Sequence, residues 1–565
     1  MVNFQVEIEK IFKKHTSVAV SIEIPPDASM GDYAVPCFPL AKELKKAPPK
    51  IASDLAQEMS KGLDANVFEK VVAVGPYVNF FTNKVTQVKG ILGSLHKLKA
   101  NYGKAKLGKQ IMIEFSSPNT NKPLHLGHIR NILLGESVSR IHAFAGNAVT
   151  RSCVVNDRGV HICKSMLAYM KKGEGATPKS ADMKGDFFVG KWYIEFSKML
   201  ETDTTLEEEA HELLRKWEKG DAKVVALWKK MNKWVYEGFD ETYAQLGIVF
   251  DKTYYESSLY KEGKEIVMKG LQKKVFVKDE GAIVVDLEDQ KMGKKVLIRS
   301  DGTALYMTQD LYLAVKKFGD FKLDRSVYVV GSEQELHFRQ LFAILKVLGY
   351  SWADGCKHLS YGMVYLPEGK MKSREGKVVD ADDLISEMVE LAAYQIKLRH
   401  KDIADAELKD RSFKVGMAAL KFFILRTDLY KDMLYNPKES ISFEGETGPY
   451  VQYTYARIQS ILRKFDGKVT EKIDYTVFDA SEVEIVKHIG LFGAVVKDAA
   501  SHYKPSLICR WLLELCQMYN EFYHANPILQ EKEDLKMARL LLSKDVALVI
   551  KQGLALLGID VVDVM

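Results

Sequence analysis

Apolar residues recur along the chain at helical and at strand spacings, and the alternation between the two divides it into stretches. Ala41, Leu44, Ile51, Leu55 and Met59 fall at helical intervals in two segments split by Pro48-Pro49, where one helix stops and another starts. Gly75-Pro76 marks a turn before a strand predicted over Tyr77–Thr82, and a helix is predicted over residues 85–98. The polar stretch 99–109 then reads as a first boundary. Residues 111–115 form a buried-strand pattern, followed by a loop and a helix beginning near His125. Apolar runs at 282–287 and 327–330 predict further strands that alternate with helices, as expected of an α/β sheet. A Trp- and Glu-rich region at 188–246 reads as a helical insertion, with Thr205 and Glu208 spaced as a capping box. From about residue 382 the pattern is helical almost throughout. Val451, Tyr455, Ile458, Leu462 and Phe465 recur every three or four residues, and residues 537–557 show similar periodicity.

The pattern predicts three units: a small α+β unit over 1–105, an α/β unit over 106–381 with a mostly helical insertion around 165–246, and a helical bundle over 382–565. A chain of 565 residues is long enough for several cores, and 47% hydrophobic with 28% charged residues is the balance of a folded, water-soluble protein. Lys and Arg number 81 against 75 Asp and Glu, a net +6 that permits a polyanionic partner without requiring one. The six cysteines form no Cys-x-x-Cys pair, so no structural zinc or dithiol redox site is expected; Cys509 and Cys516, seven apart, read as buried residues on one helical face. Residues 1–14 lack the apolar core of a signal peptide, and no stretch approaches 18 uncharged apolar residues. A cytoplasmic protein with no membrane contact is expected.

Two segments carry chemistry. Ser116-Ser117-Pro118-Asn119-Thr120-Asn121-Lys122-Pro123-Leu124-His125-Leu126-Gly127-His128 joins a predicted strand to a predicted helix, where free amides and the helix dipole favour anions. His125 and His128 share one side of the first turn, Gly127 lets a planar group approach, and Lys122 adds a positive charge. A zinc site would need a third ligand at useful spacing, and none occurs. No Gly-Lys-Ser/Thr and no Gly-x-Gly-x-x-Gly is present, which excludes the P-loop and dinucleotide signatures. The second segment, Gly369 to Lys377, places Lys370, Lys372, Arg374 and Lys377 on a glycine-bounded loop. Alone, such a loop is ordinary solvated surface. Paired with the histidine segment, it reads as a clamp for a polyphosphate leaving group.

Together these segments resemble the HIGH and KMSKS signatures of class I aminoacyl-tRNA synthetases, and the longer strings resemble the arginyl-tRNA synthetases. The strings are Gly75 to Phe81, Ser116 to Arg130, Val155-Asn156-Asp157-Arg158-Gly159, Asp301 to Asp310, Gly331 to Phe338 and Glu444 to Arg457, so the resemblance runs the length of the chain. It implies a Rossmann-type catalytic domain with the KMSKS-like loop at 370–374, an appended N-terminal domain touching the tRNA elbow, and a helical anticodon-binding domain. It also implies a monomer that activates L-arginine with ATP and Mg²⁺, giving arginyl-adenylate and pyrophosphate, then passes arginine to the 3′ end of tRNA(Arg). The family commonly needs tRNA even for the first step.

The resemblance implies site residues as well. His125 and His128 would stabilise the transferring phosphate, and Ser116, Gly127, Lys370, Met371, Lys372 and Ser373 would complete the ATP site. Aligning Lys370-Met371 with the start of KMSKS puts Ser373 where a catalytic lysine would stand. Lys122, just before the HIGH motif, is the residue to which the family reading transfers part of that role. Arginine selection needs acceptors for a planar guanidinium, and Glu256, Tyr306 and Asp310 carry over to it, with Glu114, Asn119 and Gln334 for the substrate's amino and carboxyl groups. Tyr77 and Asn79 carry over to the tRNA elbow, with Tyr77 also readable as strand core. Tyr450, Tyr453 and Arg457, at i, i+3 and i+7, suit unpaired anticodon bases or a helix-packing seam. The end Val564-Met565 departs from the family's Arg-Met, which leaves no expectation for an anticodon contact there. Two other functions are weighed: a related nucleotidyltransferase that needs no tRNA, which has little use for two tRNA-contacting units, and a non-catalytic RNA-binding relative, against which the intact polar pocket argues.

Overall fold

The computed structural model describes residues 2–259, 262–365 and 379–565. The N-terminal unit is an antiparallel sheet in the order Tyr33–Pro36, Tyr77–Thr82, Phe68–Val74. Helices Phe4–Phe12 and Pro48–Ser60 close one face of it over Ile8, Phe12, Ile51, Leu55, Phe68 and Phe80. Pro48 opens its helix behind an extended Ala47, the position where a missing amide hydrogen costs nothing.

The central sheet has five parallel strands in the order Cys356–Tyr361, Arg325–Gly331, Gln110–Glu114, Ala148–Val155, Lys252–Tyr255. Chain order reverses at Gln110–Glu114, so the carboxyl end of that strand sits at the crevice where doubly wound sheets bind ligands. The helix Leu126–Phe144 follows it directly. Between Ala148–Val155 and Lys252–Tyr255 the chain runs through four helices, Val160–Lys172, Gly185–Leu200, Leu206–Glu218 and Ala222–Leu246, which carry the region expected as an insertion on one crossover.

Two local expectations are corrected. The run at 282–287 does form a strand, Ala282–Asp286, but it joins a separate antiparallel sheet between Val277–Asp279 and Lys294–Ile298. Glu280 and Gly281, both at positive φ, turn the chain back at once, which makes a hairpin and not a crossover. Thr205 precedes Leu206–Glu218 but caps nothing: its own dihedrals are already helical, and its hydroxyl donates to Asp203.

The C-terminal part is helical, with Ala381–Arg399, Asp405–Arg426, Gly448–Lys464, Pro505–Ala525 and Glu533–Leu556 as its long members. Cys509 and Cys516 are buried on Pro505–Ala525, and all six thiols are unpaired. The bundle packs onto the histidine-bearing helix, where the Ser137 hydroxyl donates to the Leu556 carbonyl. No helix among the described residues is long and apolar enough to cross a membrane.

Candidate active site

The strand-to-helix loop begins on Ser116 and Ser117, both at positive φ (75° and 44°), a costly conformation for residues with side chains. The Ser116 amide donates to the Asn131 side chain and its hydroxyl lies 2.7 Å from the Tyr243 hydroxyl. Ser116 is therefore buried beneath the loop, its hydroxyl engaged by Tyr243 from the crossover helices.

His125 is the N-cap of Leu126–Phe144 and His128 closes a capping box with it. The His125 amide donates to Nδ1 of His128, and the Gly127 amide donates to Nδ1 of His125, both at 3.1 Å. Each Nδ1 is an acceptor, so each neutral ring carries its proton on Nε2. Burial pushes His125 down to about 4, with the Lys122 charge adding to it, and holds His128 well below the usual histidine range. At neutral pH the pair is two uncharged Nε2–H donors, their rings 3.9 Å apart. The expectation of free amides for phosphate is corrected accordingly. Gly127 gives its amide to His125 and Leu126 gives its own to the Val379 carbonyl, so the imidazoles take over the donor role.

Beside them lies a cavity of about 830 Å³ whose walls include Asn119, Lys122, His125, Glu256, Tyr306 and Asp380. Burial lowers the Lys122 pKa. Across the cavity, Glu256 begins a short turn, Glu256–Ser258, at the carboxyl end of Lys252–Tyr255. Burial pushes its carboxyl up to about 7, Arg158 opposing and Asp157 and Asp310 adding. Tyr306 stands exposed at the start of the helix Tyr306–Phe321, near enough to Glu256 to feel its charge. One turn on, Asp310 Oδ2 is 2.7 Å from Nε2 of His337, a partner inside a quoted motif to which sequence alone gave no role. Gln334 is exposed at the end of Arg325–Gly331. Glu114 is buried at the end of Gln110–Glu114, its carboxylate paired with the fully buried Lys317, whose ammonium also lies 4.3 Å from the Tyr328 ring centre.

Residues 87–436 match the family model for tRNA synthetases class I (R), catalytic domain; residues 451–565 match the DALR anticodon binding domain and residues 2–82 the arginyl tRNA synthetase N terminal domain. The chain is 47% identical over 564 residues to the arginine–tRNA ligase of Treponema denticola, covering 97% of this chain and 95% of that one. It is 46% identical to that of Bacteroides thetaiotaomicron, with 94% and 93% covered. The chain belongs to the class I arginine–tRNA ligases. Its fold superposes on the Thermus thermophilus arginyl-tRNA synthetase with a TM-score of 0.83 at 27% identity, over the whole of both chains. The Plasmodium falciparum arginyl-tRNA synthetase shares the fold at 0.79, covering 100% of this chain and 98% of that one at 21% identity.

In this synthetase the segment expected to act on ATP, Lys370, Met371, Lys372 and Ser373, lies outside the described residues. Its flanks are anchored on the histidine helix. The buried Arg130 donates to the carbonyls of Met363, at 3.0 Å, and Lys431, at 2.8 Å. The Leu126 amide holds Val379, and the Ala381 amide donates to Leu124.

The residues expected to meet tRNA divide into two cases. Tyr77 is half-buried, edge-on to Phe38. Asn79 is only 2% exposed and donates to the Met30 carbonyl at 2.7 Å, while its side-chain oxygen accepts no hydrogen bond among the described residues. On Gly448–Lys464, Arg457 lies over the rings of Tyr453 and Tyr523 and donates to Asn520, whose amide donates to the Tyr450 hydroxyl. The stripe is a helix–helix seam whose outer edge remains half-buried. Among the described residues no group of three or more His, Cys, Asp or Glu is placed to hold a metal ion.

Proposed function

We propose that both steps of arginine ligation to tRNA(Arg) run in the cavity between His125 and Glu256. An arginine carboxylate oxygen attacks the α-phosphorus of ATP, taken as its Mg²⁺ complex; the bond to the β-phosphate oxygen breaks and pyrophosphate leaves. The terminal ribose hydroxyl of the tRNA then attacks the adenylate carbonyl and AMP departs. His125 and His128 donate their Nε2–H groups to phosphate oxygens as charge builds, and Lys122, Lys370 and Lys372 neutralise the leaving pyrophosphate. Glu256, Asp310 and Tyr306 receive the guanidinium, while Glu114, Asn119 and Gln334 hold the amino and carboxyl groups. Tyr77 meets the tRNA elbow and the edge of the Tyr450, Tyr453 and Arg457 seam meets the anticodon. The working unit is one chain divided at about residues 105 and 381.

The observation that carries this reading is that one cavity joins a cluster of hydrogen-bond donors suited to phosphate with a buried carboxylate suited to a cation. Charging of tRNA(Arg) with radiolabelled arginine, with lysine and citrulline as competitors, tests it. Neither competitor should inhibit strongly, because each leaves buried acceptors unpaired. Citrulline competing on a par with arginine would remove the carboxylates from recognition.

A further inference from the structure

We infer that the crossover helix Ala222–Leu246 sets the position of Glu256 through Asp157, which makes Asp157 and Tyr236 positioning residues for arginine recognition. This rests on the reading of Glu256 as a guanidinium acceptor.

Asp157 is 1% exposed and lies just beyond the strand Ala148–Val155. From one side it is held by three side chains spaced four apart, hence on one stripe of Ala222–Leu246. Trp228 Nε1 donates to its carbonyl at 2.6 Å, Asn232 Nδ2 to the same carbonyl at 3.4 Å, and the Tyr236 hydroxyl to Oδ2 at 2.9 Å. From the other side its carboxylate accepts the Ser257 amide at 2.8 Å and the Ser257 hydroxyl at 2.7 Å. Ser257 is the middle residue of the turn that presents Glu256, so the two bonds fix where the Glu256 side chain leaves the backbone. The next residue repeats the link: Arg158 lines the cavity and pairs with Glu218 on the helix Leu206–Glu218. A buried carboxylate that accepts three hydrogen bonds is an expensive way to hold a turn that apolar packing could hold. What it supplies is direction, because three donors from two elements leave the turn one orientation.

The test is a double-mutant cycle on the full chain, read as arginine and ATP KM in charging of tRNA(Arg). Tyr236→Phe removes one charge-assisted hydrogen bond and should raise the arginine KM about fivefold, with ATP KM within about twofold of wild type. Glu256→Gln should raise the arginine KM by more, and Tyr236→Phe added to it should cost nothing further, because the group being positioned is gone. Ser257→Ala removes one of the two bonds at the relay's other end, leaving the backbone amide, and should behave as Tyr236→Phe does; it also stands in if that variant melts early. A multiplicative double mutant overturns the inference, as does a rise in ATP KM matching that for arginine, or an unchanged arginine KM in both Tyr236→Phe and Ser257→Ala. If Glu256→Gln alone leaves the arginine KM unchanged, the guanidinium reading falls and takes this inference with it. That signature differs from a damaging Glu256→Gln with silent relay variants, where only the inference fails.

Discussion

With Glu256 as the proposed guanidinium acceptor, arginine binding becomes a proton-linked event. Its carboxyl titrates near 7, and only the ionised form accepts a guanidinium as an anion, so below that pH arginine must displace a proton. Arginine KM should rise about tenfold from pH 8 to pH 6 with ATP KM flat, and charging kinetics across that range check it. The sign for the empty protein is the reverse. A raised carboxyl pKa favours the fold while it is protonated, and that contribution is lost as pH climbs from the ordinary carboxyl range through about 7. Bound arginine should therefore raise Tm more at pH 8 than at pH 6. For the histidines, His128→Ala should lower kcat by about 10²–10³, the usual loss for one donor aimed at developing phosphate charge; charging at the wild-type rate would end its proposed role. The positions of these residues were legible from their motif. Their tautomers and burial were not, because both depend on backbone amides and a loop that only the fold brings together. The partners of Asn79, Ser116 and Glu114 were illegible for a related reason: Met30, Tyr243 and Lys317 lie 49, 127 and 203 residues away.

Helices and strands are where local pattern did best. Pro48-Pro49 divides Ala41–Leu44 from Pro48–Ser60, and the three-and-four spacing after residue 451 marks Gly448–Lys464. The misassigned strand shows the limit, since a five-residue apolar run is the same in a hairpin and in a crossover; only the positive φ at Glu280 and Gly281 separates them. One helix does two jobs here. Leu126–Phe144 carries the histidines at its start and, through Arg130, the flank of the segment proposed to act on the pyrophosphate. Arg130→Ala would take the donor from two part-buried carbonyls, at a cost of about 1–3 kcal/mol. Denaturant unfolding should show the loss, and kcat for charging should fall beyond what the remaining folded fraction explains. A variant destabilised with kcat intact would mean that Arg130 acts on the fold alone.

At the scale of the whole molecule, the net +6 said little, and the arrangement of units says more. The N-terminal unit rests on the bundle through Asp32 and Lys487, 2.6 Å apart. After it, the helix Lys84–Leu98 pairs His96 with Asp545 at 2.8 Å. The bundle reaches the catalytic helix through Ser137 and Leu556. A tRNA that engages the outer units thus loads elements in direct contact with the site. Arginine-dependent pyrophosphate exchange should be slight until tRNA(Arg) is added; strong exchange without it would separate tRNA binding from activation.

The contact between Ser137 and Leu556 also puts the protein on a clock. Its partner lies 419 residues further along the chain, and Lys421 and Gln452 likewise wait for the carbonyls of Gly558 and Asp560. On a ribosome adding about 5–20 residues per second, the histidine helix stays incompletely packed for roughly 20–80 s after it is made. Throughout synthesis the donors that would hold ATP sit on an unfinished surface. A nascent chain halted before residue 556 would therefore carry the motif on a helix still short of this contact.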